Sequence, residues 1–345
     1  MRLLAFGCPH IQSTITLGSS ATVPTFQWLL QMVEEQQVSH VVCLGDTVDS
    51  VSKTDLMTNL TVKWVLDAFK ELAHSGVAVI WMLGNHDVYS EQHSALDIFD
   101  DAPNFTVLRQ PRSVLVDGLE FVFWPFQQWM DDHSEWRQRI DSMYVHRSGA
   151  TPRILCTHTP IEGMPMGGTK DQGADIKELG LQFDLVIAGH YHEASQFLVD
   201  ALSAQTPIVV PGCVIAHGFK DLGWFHGAVM YDTTTAQTSW LTNPHSHVFY
   251  RGTSQQFNEA MQNSQLAMMK DRTHARFTDE VDPAVYREYG LPTVQVRPKQ
   301  ERIQSSGKES FQLDSDPMAD LRRWFADAKL DLTDHLAAVA KGYLA

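Results

Sequence analysis

Positive charge is scarce in this chain. Lys and Arg total 26 of 345 residues against 41 Asp and Glu, for a formal net charge of -15. That balance excludes a protein that coats nucleic acid through bulk cationic surface. It leaves room for a local basic groove, or for a negative pocket that gathers cations. Long apolar runs are missing too. A strongly apolar stretch such as residues 77–83 is strand-length, far short of the ~20 residues a bilayer crossing needs, so no membrane partner is expected. Cysteine is sparse: Cys8, Cys43, Cys156 and Cys213 stand far apart in apolar surroundings. Such spacing argues against a disulfide framework and suits buried or metal-facing thiols in a reducing, cytoplasmic setting. Only seven residues precede Cys8, too few for the charged and apolar parts of a lipoprotein leader, so residues 2–7 are expected to form a first strand.

What is present is ample material for a core. Hydrophobic residues make up 43% and charged residues 19%, in a chain long enough for one large domain or two of ~150 residues. No internal repeat and no low-complexity tract is visible. Apolar spacing predicts helices over 24–36 and 55–74, the second with Leu60, Trp64, Leu66, Phe69 and Leu72 on its buried side. Strands are expected at 40–44, 77–83, 153–157 and 185–188, and two short β runs within 107–125 around Val116-Asp117-Gly118. Residues 195–250 are mostly β. Early β-α alternation with a β-rich return implies an α/β fold of two sheets packed face to face with helices outside. Beyond Gly252 the chain is more polar. It has a helical look over 254–270, a short β run at 293–297, a Ser/Gln/Asp-rich linker at 304–316 and two helices over 318–344.

Five short motifs carry candidate chemistry: Cys8-Pro9-His10, Gly45-Asp46-Thr47-Val48-Asp49, Gly84-Asn85-His86-Asp87, Thr157-His158-Thr159 and Gly189-His190-Tyr191-His192. Each follows an expected strand, and ligand sites in open α/β sheets lie at the carboxyl ends of strands. Thiolate, imidazole, carboxylate and amide oxygen form a ligand set for borderline transition metals. Asp46 in its tight turn suits a bridging carboxylate, and Asn85 offers a neutral oxygen. Two cations ~3.5–4 Å apart neutralise charge in an in-line displacement at phosphorus. His86 is placed to protonate a leaving oxygen, with Asp87 orienting it. Asp49 and Asp87 also read as helix caps, and Asp49 as a group standing behind the ligands.

Together the motifs resemble those of the calcineurin-like metallophosphoesterase superfamily: D-x-H, G-D-x-x-D, G-N-H-D/E, a lone His and G-H-x-H. The resemblance covers residues 1–250 and implies a four-layer αββα sandwich with a dinuclear metal centre. It implies one metal held by position 8, His10, Asp46 and His192, another by Asp46, Asn85, His158 and His190, and His86 as the catalytic histidine. The departure is Cys8, where the family has Asp. A thiolate suits iron or zinc and fits manganese or magnesium poorly. Cys8 is open to three readings: a soft ligand that selects the metal, a weakened first site, or an inactivating replacement.

Downstream, the segments 207–213 and 219–224, the second followed by an apolar strand, resemble SbcD-type DNA repair nucleases. There a Pro-Gly turn follows the final histidines, and a small capping region precedes helices that grip an SbcC-type ATPase. That resemblance divides the chain into a catalytic domain (1–252), a capping-like region (253–303), a linker (304–316) and a helical pair (317–345). The helical pair also reads as an ordinary packed extension. The implied activity is metal-dependent DNA cleavage, exo- or endonucleolytic, with two divalent ions (manganese, or iron or zinc given Cys8), an ATPase partner and a homodimer. The alternatives are a phosphoesterase for cyclic nucleotides, nucleotides or phosphoproteins, and a degenerate binding module. Phe123-Trp124-Pro125-Phe126 and Trp129 are open to base stacking or to core packing.

Overall fold

The computed structural model describes residues 1–12, 19–49, 56–90, 93–97, 102–127, 151–162, 164, 174–201, 204–223, 225–262, 269–288 and 290–296. Two six-stranded mixed sheets form its centre. The first runs Gln237–Thr242, Gly227–Asp232, Arg2–Phe6, His40–Cys43, Ala78–Met82, Phe105–Leu108, with the last four strands mutually parallel. The second runs Ser195–Ala201, Ala204–Val210, Leu185–Ala188, Arg153–Thr157, Leu119–Trp124, Arg112–Val116, parallel across its four middle strands.

The period of two along each strand decides the layering. In the first strand, Leu3 and Ala5 face the second sheet, where they meet Phe121, Phe123, Ile154, Cys156 and Ile187. Leu4 and Phe6 face the other way, onto the helices Thr22–Glu35 and Leu56–His74. Phe6, Phe26, Phe69 and Trp81 pack there largely edge to face, with Phe69 and Trp81 centroids 5.3 Å apart. On the far side, Val122, Leu155, Val186 and Val210 of the second sheet cover Leu179 and Phe183 around the helix Ile176–Gln182. That helix starts at Asp175, whose carboxylate accepts from the Lys177 and Glu178 backbone N–H groups. Helix, sheet, sheet, helix are the four layers expected from the sequence.

Two details differ from expectation, and an alternative left open for Phe123 and Trp124 is decided. The strand Val248–Gly252, placed in the catalytic unit by a boundary at 252, pairs instead with Thr273–Phe277, which pairs with Thr293–Val296. These parallel strands and the helices Ser254–Met261 and Pro283–Glu288 form a small module with its own core of Tyr250, Phe257, Phe277, Tyr286, Leu291 and Val294. Helix Leu56–His74 buries Val62, Val65, Leu66, Phe69 and Ala73, with Trp64 and Leu72 at the margin. Phe123 and Trp124 are core residues, so neither is presented for base stacking. Trp129, the linker 304–316 and the helical pair 317–345 lie outside the described residues. No helix among the described residues is long and apolar enough to cross a membrane.

Candidate metal centre

All five motifs leave the carboxyl ends of parallel strands and meet at one edge of the sandwich. The Cys8–Ile11 loop is laced to the Asp46 loop by backbone bonds: Cys8 N–H to Gly45 O (3.0 Å), His10 N–H to Asp46 O (3.0 Å) and Ile11 N–H to Thr47 O (2.8 Å). The Asp46 loop is laced in turn to the Asn85 loop. Asp46 Oδ1 accepts from His86 N–H at 2.8 Å, and the buried Asp87 carboxylate accepts from Val48 N–H (3.1 Å) and Gly84 N–H (2.8 Å). With Oδ1 occupied, Asp46 Oδ2 is aimed inward. It lies 3.1 Å from His158 Nε2 on one side and 3.7 Å from His10 Nε2 on the other.

Two donor clusters share that oxygen's carboxylate. In the first, His10 Nε2 and His192 Nε2 face one another at 2.9 Å, and the ligand atoms of Cys8, His10 and His192 all lie within 4.8 Å of each other. In the second, Asn85 Oδ1 lies 3.2 Å from His158 Nε2 and 3.0 Å from His190 Nδ1. Cys8, Asp46 and His158 also fall within one 4.8 Å group. The seven residues expected as ligands are therefore gathered in one place, with the Cys8, Asp46 and His158 group running across the two expected sets.

The arrangement fits divalent cations on grounds internal to the structure. Cys8, His10, Asp46 and His190 all have positive φ, at 50°, 44°, 56° and 73°. Left-handed backbone in a non-glycine residue costs roughly 1–3 kcal/mol, and its clustering here marks a functional constraint. His10 Nδ1 is buried without a hydrogen-bond partner. The imidazoles beside the Asp46 carboxylate among the described residues include those of His10 and His158. Burial favours its neutral form, but His158, His10 and His86 together hold its carboxyl well below the usual carboxylate range. Burial pushes His10 well down, so it is a neutral imidazole with a lone pair to offer. Burial, with Asp46 beside it, pushes the Cys8 thiol well up. A cation is what makes such a thiol a thiolate.

Tautomers are set by what lies behind the rings. His158 Nδ1–H donates to Leu44 O at 2.5 Å, leaving Nε2 for the site. His86 Nδ1–H donates to the Asp49 carbonyl, leaving Nε2 for proton exchange, and its ring stands edge-on to His10 with centroids 4.8 Å apart. The contact on the His86 ring thus comes from the Asp49 backbone, while the Asp87 carboxylate accepts from the Val48 and Gly84 backbone N–H groups. Burial, reinforced by Asp46, raises Asp87 to about 7. The Asp49 carboxylate groups with His10 and His86 behind the first cluster.

Sequence reasoning missed His217, Asp221 and the pair Cys213–His226. Asp221 Oδ1 accepts from His192 Nδ1–H at 2.6 Å, and His217 Nε2–H donates to Pro9 O at 2.7 Å. Cys213 Sγ lies 3.3 Å from His226 Nδ1. Cys213 and Asp221 fall within the segments 207–213 and 219–224 noted above, where no role at the metals was expected of them, and His217 and His226 fall in no motif.

The family model described as calcineurin-like phosphoesterase matches residues 1–194. No curated protein matches the chain. Among solved structures, the crystal structure of TT1561 of Thermus thermophilus is similar at 12% identity and a TM-score of 0.44, covering 70% of this chain and 98% of that one. With the family model spanning more than half of the residues and every motif of the site inside that span, the chain belongs to the calcineurin-like phosphoesterase family.

Proposed function

We infer that the chain is a dinuclear-metal phosphodiesterase and that, within this class, it acts as an SbcD-like DNA nuclease. The observation that carries the reading is Asp46, one carboxylate reaching into two donor clusters. Cys8, His10, Asp46 and His192 would hold one ion, and Asp46, Asn85, His158 and His190 the other. Such ions supply neutralisation of phosphoryl charge and acidification of a water. The chain's own residues do the rest. His86, pinned through Nδ1 by the Asp49 carbonyl, holds a proton at Nε2 for the departing oxygen. The Asp87 carboxylate ties the His86 loop to the Asp46 loop, so the proton donor and the bridging carboxylate keep one register.

The nuclease half rests on the downstream resemblance and on the small module that follows the sandwich. An SbcC-type ATPase bound by residues 317–345, a homodimer and a cytoplasmic location go with it. Manganese suits that activity, whereas Cys8 favours iron or zinc because a thiolate is a soft ligand. One observation favours a second reading, a phosphoesterase for cyclic nucleotides, nucleotides or phosphoproteins: the net charge of -15 opposes unaided DNA binding.

The test is hydrolysis of bis-p-nitrophenyl phosphate, cyclic nucleotides and labelled single- and double-stranded DNA, each with Mn²⁺, Fe²⁺ and Zn²⁺. Cleavage of DNA supports the nuclease reading. Turnover of small esters with intact DNA, with or without an ATPase partner, rejects it in favour of the second. No turnover of any substrate by either the native chain or Cys8→Asp rejects both and leaves a binding module.

A further inference from the structure

The loop that follows the strand Ala204–Val210 touches the first donor cluster from behind at every turn. Cys213 N–H donates to His192 O (3.0 Å), and Val214 N–H donates to Gly7 O (2.9 Å). His217 then reaches Pro9 O, between Cys8 and His10. Asp221 is buried, at 5% exposure, and spends both oxygens: Oδ1 on His192 Nδ1–H at 2.6 Å, Oδ2 on the His217 backbone N–H at 2.8 Å. The other face of the loop lies on the small module. The Phe219 ring carries the Arg276 guanidinium 3.9 Å from its centroid and stands edge-on to Phe249 at 5.3 Å, and Gly223 bridges to Phe249.

We propose that Asp221, with His217 beside it, is the positioning residue of the first metal site, fixing His192 with its Nε2 lone pair turned toward His10 and Cys8. The carboxylate on Nδ1 selects the tautomer, locks the ring and increases the basicity of the donor nitrogen. His192 needs this more than its neighbours. Its ring is about one-third exposed, whereas those of His10 and His158 are almost fully enclosed by packing. Asp221 reaches the cluster through the His192 ring at 2.6 Å, and its carboxylate also lies within 4.8 Å of the Cys213 thiol. The second site has a separate device, the Leu44 carbonyl behind His158. The loop therefore acts on one site of the pair. The inference rests on the dinuclear reading and predicts an asymmetry that this reading alone does not.

Equilibrium dialysis of the full chain against Zn²⁺ and against Co²⁺, with elemental analysis, tests it. The native protein is expected to take up two ions, with a thiolate-to-cobalt charge-transfer band reporting Cys8. Asp221→Ala is expected to weaken one site by about 10–100-fold, with loss of that band at limiting cobalt, while the other site keeps its affinity. Asp221→Asn retains shape and an acceptor oxygen without the charge, and is expected to fall between; it carries the test if the alanine variant does not fold, as judged by circular dichroism without metal. Two ions held at native affinity by both variants, or equal weakening at both sites, overturns the proposal. A native chain that takes up fewer than two ions overturns the dinuclear reading itself.

Discussion

Asp46 is the residue on which both donor clusters converge, and its removal should act on both. Asp46→Ala is expected to lose both metals, measured as stoichiometry by elemental analysis; a full complement of two in that variant would refute the bridging role. In the proposed mechanism His86 supplies a proton and the metals are held by other residues. His86→Ala is therefore expected to retain metal while turnover drops by ~10²-fold or more, and normal turnover rejects the role. Cys8 is the one candidate ligand whose softness departs from the pattern quoted above. In Cys8→Asp the preference is expected to move from zinc or iron toward manganese, read from activity across metals at equal concentration. The candidate ligands were legible from sequence because each follows a strand end in a short motif. Asp221 was not, since it stands 29 positions after His192 in a loop and makes its contact only after the second sheet has turned back.

The element that holds the ligands in register is the set of glycine turns at the strand ends. A Cβ on Gly84 would collide with Asp46 N and Oδ1, and a Cβ on Gly45, at φ +105°, would lie 2.6 Å from His158 Nδ1. Both contacts are with backbone or with enclosed side chains that have nowhere to go. Gly84→Ala is expected to destabilise the fold by about 1–3 kcal/mol through overpacking, and to lower metal affinity as Asp46 is displaced. Chemical denaturation and metal titration check the two parts; an alanine variant that melts and binds as the native chain does would show that the turn gives way cheaply. Strands and helices of the sandwich were readable from apolar spacing, although the buried stripe of Leu56–His74 is turned toward Val62 and Ala73. The strand Thr273–Phe277 escaped notice because Thr, His and Arg occupy three of its five positions, and only pairing between two neighbours buries Thr273 and His274.

For the whole molecule, buried histidines make stability depend on pH. Burial lowers His226 to about 4 and His274 to about 4, from an ordinary 6.5. The unfolded chain therefore binds more protons than the folded one between those values. The stability linked to these two groups is fully present above pH 6.5 and is lost as pH falls from 6.5 through about 4. Denaturant midpoints of the metal-free protein are expected to decline across that window, and a flat profile would count against neutral burial of both rings.

The seam of the first sheet has a consequence for synthesis. The strand Arg2–Phe6 lies inside that sheet, with His40–Cys43 on one side and Gly227–Asp232 on the other, and the amino terminus itself donates to Thr233 at 3.0 Å. One flank of the opening strand is made by residues that leave the ribosome more than two hundred positions later. His158, His190 and His192 arrive late as well, from the opposite sheet. Until residues 227–232 dock, the strand Arg2–Phe6 therefore carries an open edge, a state exposed to mispairing. On the dinuclear reading, capture of both ions waits for the two sheets to pack, because Cys8, His10, Asp46 and Asn85 follow strands of one and His158, His190 and His192 follow strands of the other.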